Sequence, residues 1–309
     1  MNYLQFNDKG KFEPEEQALA NYFGEGNYTG FYKKHFFRDK FQITKNDFIS
    51  GDIDVMFHAM KRLGINYSYT DYPECLKPYL YRKIWESTLG EVRKRLFNDL
   101  GNEVEFGLNW FIKPKDRLKR FTGFVCETID DLSKCAGAGN QTKIWCSEPV
   151  QFTSEFRCYF INNEYQKDLF GEIYIPRAMM VLDAWVNPYI CCAIGSFKKE
   201  RNEEDFYKVN DFIHEELLCM RDERDIDRSD WIFYKGFPKA FVLDLGVLST
   251  GEVALIEMND AFSIGKYNGI DDETYAKFLI TRWEELKKEA LKAAAEYNKD
   301  YDEYKRKAK

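Results

Sequence analysis

Two apolar runs in the C-terminal third of the chain, separated by a short turn, constrain the fold more than any other feature. Residues 239–269 read KAFVLDLGVLSTGEVALIEMNDAFSIGKYNG, and turn residues between alternating apolar runs are typical of a β-hairpin. A four-residue loop, residues 249–252, pairs Leu248 with Val253 and so places Asp244 directly across from Glu257. The hairpin is therefore predicted to bring two carboxylates together.

Strand alternation assigns the polar and apolar residues of this hairpin to opposite faces. Asp244, Glu257 and Asn259 share one face, and the other carries Phe241, Leu243, Leu245, Val247, Ala254, Ile256 and Met258. Like charges placed opposite each other destabilise a sheet, so a compensating cation is expected. Carboxylate and amide oxygens suit Mg²⁺. A hairpin with two exposed acids at a solvated edge is the alternative.

The hairpin resembles that of the ATP-grasp ligases, in which an Asp, a turn with Gly and a second strand ending in Glu-x-Asn follow one another. In that family the Asp, Glu and Asn hold the magnesium ions of MgATP. The resemblance therefore implies that Asp244, Glu257 and Asn259 bind metal, with Gly251 in the turn. It also implies ATP and Mg²⁺ as cofactors.

A second informative stretch, residues 109–125, combines a strand with a basic loop. Trp110 and Ile112 alternate with Lys113, Pro114 ends the strand, and the loop carries Lys115, Arg117, Lys119 and Arg120. Positive charge concentrated beside a strand can hold a triphosphate, although a basic surface loop is the alternative. The resemblance implies that Lys113, and a loop base such as Lys119, contact the phosphates. The loop is poor in glycine for the family, with only Gly123.

The sequence KIWCSEPVQFTSEFRCYF, residues 143–160, predicts a strand, a break at Pro149 and a second strand. Backbone groups of Pro149 and Val150 could meet an adenine edge, and a carboxylate at Glu155 could accept two hydroxyl hydrogen bonds. The resemblance implies that Glu148 lies at the adenine hinge and Glu155 binds the ribose. Taken singly, either acid would be an ordinary surface residue.

Three basic positions are candidates for phosphate or acyl-phosphate contacts. Arg157 alternates with Glu155, so its guanidinium could bind a phosphate bidentately or pair with Glu155. Related ligases often carry a basic phosphate ligand before the lysine strand, and Arg82 is the candidate. Residues 79–100 are otherwise predicted to form one amphipathic helix with Ile84, Leu89, Val92 and Leu96 inward.

The chain departs from the family at the position two residues before the metal-binding Asp. Many members place an arginine there, and this chain has Val242. The motifs FIKP, SEFR and EMND resemble a clade that replaces this arginine by lysine. Lys239 is the nearest candidate, with Lys235 and Lys266 as alternatives, and Ser263 and Lys266 follow the metal ligands where many ligases contact the acceptor.

Two further helices are predicted outside the motifs. In residues 50–65 the helical spacing of Val55, Met56, Ala59, Met60 and Leu63 ends at Gly64. Residues 201–221 place Phe206, Val209, Phe212, Ile213 and Leu217 inward, and the chain is helical again from Asp271.

Composition limits the classes of partner and compartment. A net charge of −7 gives no global field that attracts nucleic acid or an anionic membrane. Eight cysteines without paired spacing indicate reduced, mostly buried thiols. The start, MNYLQFNDKG, lacks a secretory pattern, and the most apolar segments are shorter than a membrane span. A cytoplasmic protein without membrane or nucleic-acid partners is expected, and the oligomeric state stays open.

Together the motifs predict an α+β chain of the ATP-grasp type, with two α+β lobes enclosing ATP. A small N-terminal α/β domain is expected over residues 1–78, the ATP-grasp domain over 79–290, and a C-terminal helix over 271–309. Within the ATP-grasp domain the nucleotide lobe covers about 108–165 and the metal-binding lobe about 166–270. The implied reaction joins a small-molecule or peptide carboxylate to an amine or thiol through an acyl phosphate. A small-molecule kinase and a nucleotide-binding protein without turnover are the alternatives.

Overall fold

The computed structural model describes residues 1–67, 71–97, 108–115, 120–162, 184–186, 190–196, 202–217, 237–267 and 269–307. The chain divides into two compact units. The larger unit comprises Met1–Lys77, Ser154–Val247 and Gly251–Lys309, and the smaller unit comprises Pro78–Thr153 and Leu248–Thr250. The predicted loop base Lys119 and the alternative Lys235 lie outside the described residues.

The larger unit begins with a three-stranded parallel sheet whose strand order is β2-β1-β3. A parallel sheet needs crossover helices, and the chain supplies them between and after the strands. The elements are β1 (Asn2–Phe6), α1 (Pro14–Phe23), β2 (Thr29–Tyr32), α2 (Lys33–Phe37), β3 (Phe48–Ser50) and α3 (Ile53–Leu63).

The helix predicted in residues 50–65 is confirmed as α3. All five of its predicted core positions are buried. Gly64 ends it in the left-handed region at φ 67°, where a glycine has no steric penalty.

The smaller unit is built on an antiparallel sheet with the order β4-β7-β5-β6. Its elements are β4 (Ile84–Thr88), α4 (Leu89–Leu96), β5 (Trp110–Pro114), β6 (Phe124–Cys126) and β7 (Lys143–Ser147). The prediction of one helix over 79–100 is wrong for residues 84–88, which pair with β7. The Thr88 side chain accepts a hydrogen bond from the Glu91 N–H, so the helix begins only after it.

A five-stranded sheet forms the second part of the larger unit, in the order β12-β11-β8-β10-β9. Its strands and the helix among them are β8 (Phe152–Asn162), β9 (Ala184–Val186), β10 (Ile190–Ser196), α5 (Glu203–Asp211), β11 (Ala240–Leu248) and β12 (Val253–Asp260). A π-helical turn, Phe212–Leu217, continues α5, and the five inward positions predicted there are buried.

The predicted hairpin is confirmed, but its register near the turn differs by one residue. Val247, not Leu248, pairs with Val253, because the pairing shifts between Asp244 and Leu245. Ile256 is the extra residue of this bulge, and it restores the expected pairing of Asp244 with Glu257. The expected division into a polar and an apolar face was too simple, since β11 lies between two strands and its Val242 is fully buried.

The C-terminal helix α6 (Asp272–Lys307) shares one hydrophobic core with the N-terminal segment. Leu4, Leu19 and Val55 belong to this core together with Phe278 and Trp283 of α6. The segment predicted as a separate domain, residues 1–78, therefore buries its apolar residues against the C-terminal helix. No helix among the described residues is long and apolar enough to cross a lipid bilayer.

Candidate functional site

A buried ion pair lies at the centre of the five-stranded sheet. The Arg157 Nε and Nη2 atoms of β8 donate to the two carboxylate oxygens of Asp244 on the neighbouring β11, both at 2.7 Å. Burial alone would lower the pKa of Arg157, but the Asp244 carboxylate outweighs it and holds that pKa above its usual range. Arg157 is therefore the cation that the opposed acids require. Its expected ion-pair alternative, Glu155, is not the partner in these two hydrogen bonds.

Asn259 connects the two opposed carboxylates of the hairpin. Its Nδ2 atom donates to Asp244 Oδ2 at 3.0 Å and to Glu257 Oε1 at 2.9 Å. Asp244 is 3% exposed, while Glu257 and Asn259 are half-buried and so open to a ligand. The structure thus brings together the three predicted metal-binding side chains.

The donor set fits a hard divalent cation. Two carboxylates and an amide converge, and rotating the Asn259 amide by half a turn would present its oxygen in place of its nitrogen. Two acids beside one arginine leave a net negative charge. Within the described ranges no group of three His, Cys, Asp or Glu side chains could hold a metal, so an amide ligand is a necessary part of this site.

The loop after β12 packs over the ion pair through aromatic residues that the sequence analysis did not identify. The Arg157 guanidinium lies 4.4 Å from the centre of the Tyr267 ring, a cation–π contact. Tyr159, two residues after Arg157, donates its hydroxyl to Gly265 O at 2.7 Å and accepts from Tyr267 N–H at 3.2 Å. Strand alternation could have identified Tyr159, because it shares a face with Arg157.

An acid from the N-terminal helix also reaches this loop. The Lys266 N–H donates to Glu15 Oε1 of α1 at 3.0 Å. The two residues are 251 positions apart in the sequence, and no local pattern indicates their proximity.

The predicted lysines do not replace the missing arginine in the contacts seen here. Lys239 precedes β11 by one residue, so about 16 Å of extended strand separates it from Asp244. The Lys266 ammonium lies 3.2 Å from Asp272. Val242 faces the shared hydrophobic core, and the positive charge beside Asp244 comes from Arg157 on the neighbouring strand.

The smaller unit carries the first group of predicted nucleotide contacts. Lys113 is half-buried on β5, paired in register with Trp145. A Cβ atom on Gly123 would lie 2.6 Å from Phe111 and 3.2 Å from the Lys113 Cβ, so only glycine allows this approach. Arg82 donates from Nη1 to Leu80 O at 2.9 Å.

The predicted hinge follows β7. Glu148 closes the pairing of β4 and β7, since its Oε2 accepts from Lys83 N–H at 2.9 Å and its own N–H donates to Lys83 O at 3.2 Å. Pro149 is exposed and Val150 half-buried in the extended segment that follows. Glu155 belongs to the larger unit, exposed on β8 two residues before Arg157.

Comparisons with known proteins agree with this arrangement. The sequence profile of the ATP-grasp domain, R-to-K clade family 2, matches residues 79–167 and 231–278. These ranges include the β5 strand with Lys113, the hinge, the Arg157 strand and the hairpin with Asp244, Glu257 and Asn259. No curated protein sequence is significantly similar to the chain.

Searches of solved structures return ATP-grasp enzymes at low identity. The VanG D-Ala:D-Ser ligase from Enterococcus faecalis is 11% identical, with 91% of this chain and 98% of that chain covered and a TM-score of 0.45. A RimK domain protein ATP-grasp from Sphaerobacter thermophilus is 8% identical, with 91% and 100% covered and a TM-score of 0.44. From the α+β architecture and the matched profile, the chain carries an ATP-grasp domain and belongs to the ATP-grasp superfamily.

Proposed function

We propose that this protein is an ATP-dependent, ADP-forming ligase that joins a small-molecule or peptide carboxylate to an amine or thiol. The single observation that carries the proposal is the convergence of Asp244, Glu257 and Asn259 on one side of a hairpin, held by Arg157. The family profile spans this hairpin and the Lys113 strand, and so supports one nucleotide-dependent role for both.

In the proposed reaction a substrate carboxylate oxygen attacks the γ-phosphorus of ATP, the bond to the bridging oxygen breaks, and ADP leaves. The nitrogen or sulfur of the second substrate then attacks the acyl carbon and loses its proton, and phosphate leaves. Magnesium held by Asp244, Glu257 and Asn259 would bind phosphate oxygens and offset the charge that develops on them. Arg157 lies beside this ligand set, where its guanidinium can stabilise the same charge.

The remaining predicted contacts complete the nucleotide site in this proposal. Lys113, Lys119 and Arg82 bind phosphates, the backbone of Pro149 and Val150 meets the adenine edge beside Glu148, and Glu155 binds the ribose. Lys239 stays a weaker candidate for catalysis because of its distance along β11. The proposed location is the cytoplasm, with no nucleic-acid or membrane partner.

The test is release of ADP and phosphate from MgATP in the presence of pooled carboxylic acids and pooled amines or thiols. Release should need both pools and should fall by about 100-fold or more in Glu257→Gln, because several kcal/mol of charge stabilisation depend on the metal. Glu252→Gln is the matched control, since Glu252 is an exposed acid in the turn of the same hairpin.

Each other outcome has a definite meaning. Wild-type release in Glu257→Gln would remove the metal assignment, and release that needs only a hydroxyl compound would identify a kinase. Absence of release together with a melting temperature raised by MgATP would identify a binding protein without turnover.

A further inference from the structure

A small open space lies over Gly265, bounded by groups of opposite charge. A Cβ atom built on Gly265 would lie 3.5 Å from Glu15 Oε1, 3.6 Å from Arg157 Nη1 and 3.8 Å from the Tyr267 ring. These are ordinary van der Waals distances, so the space has room for an atom but holds no side chain. A carboxylate and a guanidinium therefore face the same position from two sides.

The Glu15 carboxylate is held in place but is not neutralised. Its Oε1 accepts the Lys266 N–H, whereas the Lys266 ammonium pairs with Asp272. Asp272 also accepts from Asn21 at 2.7 Å. Glu15 makes no ion pair with any side chain in the described part of the chain. A half-buried carboxylate in this state attracts a cation.

The loop that forms the base of the space is fixed from several directions. The Tyr159 hydroxyl bonds the backbone at Gly265 and Tyr267, and the Tyr275 hydroxyl donates to Ile264 O. Both tyrosines are about 1% exposed, so these bonds are shielded from water. The space is thus formed in advance of binding, which lowers the entropy that a ligand must lose there.

We propose that Glu15 binds the ammonium group of an amine substrate in the space over Gly265, between Glu15 and Arg157. This inference rests on the proposed ligase function and names an amine, rather than a thiol, as the second substrate. A carboxylate stabilises an ammonium group and disfavours a thiolate. The N-terminal helix α1 therefore supplies a substrate-binding residue to a site whose other members belong to the five-stranded sheet and its loop.

The first test is saturation-transfer NMR on the full chain with MgADP. The probes are a pool of proteinogenic amino acids, putrescine and spermidine, each compared with its N-acetylated form. At least one free amine should bind, its acetylated form should not, and Glu15→Gln should weaken binding by about tenfold or more. Gly265→Ala should have the same effect by filling the space, and its φ needs no glycine.

Glu13→Gln provides the matched control. Glu13 is exposed at the start of the same helix, and its side chain accepts a hydrogen bond from the Asn7 side chain at 2.9 Å. Amine binding equal in Glu15→Gln and wild type, or no amine binding by wild type, would overturn the inference.

A second assay separates failure of this site from failure of the ligase function. Hydroxylamine traps an acyl phosphate as a hydroxamate, and the reaction needs no bound amine. Glu15→Gln should form hydroxamate at the wild-type rate from MgATP and pooled carboxylic acids, while its KM for the amine rises. Amine binding through Glu15 without any hydroxamate would support the site and contradict the ligase. A loss of hydroxamate in Glu15→Gln equal to its loss of amine turnover would contradict the assigned role.

Discussion

Arg157 and Asp244 bond each other twice across neighbouring strands, Nε to Oδ1 and Nη2 to Oδ2, both at 2.7 Å. Both residues are at most 7% exposed. Each charge therefore depends on the other for the solvation that water does not supply. The pair also explains how a sheet tolerates Asp244 opposite Glu257.

The first prediction concerns the cost of breaking this pair. Asp244→Leu should lower the free energy of unfolding by about 3–5 kcal/mol, because it leaves a buried guanidinium without its anion. Adding Arg157→Met to the same chain should recover most of that loss. Urea unfolding measures both, with Lys277→Met as a control at an exposed ion pair worth less than about 1 kcal/mol. Equal stability of the single and double variants would show that the two charges are not coupled.

The second prediction concerns the hydroxyl that holds the loop over Arg157. Tyr159→Phe removes a donor to Gly265 O and an acceptor for Tyr267 N–H, and should cost about 1–3 kcal/mol because both backbone groups lose a buried partner. Hydrogen exchange of the Tyr267 amide should accelerate, while Tyr207→Phe, at a 60% exposed position, should leave it unchanged. An unaltered Tyr267 exchange rate in Tyr159→Phe would show that the loop is held by other contacts.

The third prediction concerns the thiols of the smaller unit. Cys126, Cys135 and Cys146 are fully buried, and burial raises their pKa values, to about 11 for Cys126 and about 12 for Cys146. A thiol reacts as its thiolate, so all three should resist iodoacetamide at neutral pH until the chain unfolds. Mass spectrometry of the labelled peptides, before and after urea, measures this. Labelling of Cys146 in the native protein would contradict the packing described here.

Periodicity in the sequence was enough to predict local elements. The α3 helix and its stop at Gly64 follow from helical spacing and a glycine, and the hairpin follows from two apolar runs around a turn. The expected register at the hairpin tip was wrong because a bulge at Ile256 adds one residue to β12. Nothing in an alternating pattern marks a bulge, whose position depends on the twist of the neighbouring strands.

Contacts between distant segments could not be predicted from the sequence. The partner of Arg157 depends on β8 lying beside β11, and strand order within a sheet leaves no trace in local spacing. Glu15 reaches the loop at Lys266 only because α1 and α6 share a hydrophobic core. The resemblance to ATP-grasp ligases supplied an order of motifs, and the three predicted metal ligands meet in space. It gave no information about the residues that surround them.

The fourth prediction follows from Glu16, which lies next to Glu15 on α1 and is only 8% exposed. Burial raises the pKa of Glu16 from 4.5 to about 7, opposed by a 3.0 Å hydrogen bond from the Ser50 hydroxyl, and the charges of Glu15 and Asp52 raise it further. Between pH 4.5 and about 7 the unfolded chain loses this proton while the folded chain keeps it. Stability should therefore fall as the pH rises through this range, by up to roughly 3 kcal/mol.

Glu16→Gln removes the titration and should be more stable than wild type above pH 7, with the difference disappearing near pH 4. Chemical unfolding across that range measures the difference between the two proteins, which cancels the opposite trend expected from Asp47 and Asp271, whose pKa values are lowered. Glu13→Gln, at an exposed position on the same helix, should follow wild type throughout. A constant difference between Glu16→Gln and wild type at every pH would mean that the carboxyl does not hold its proton in the folded chain.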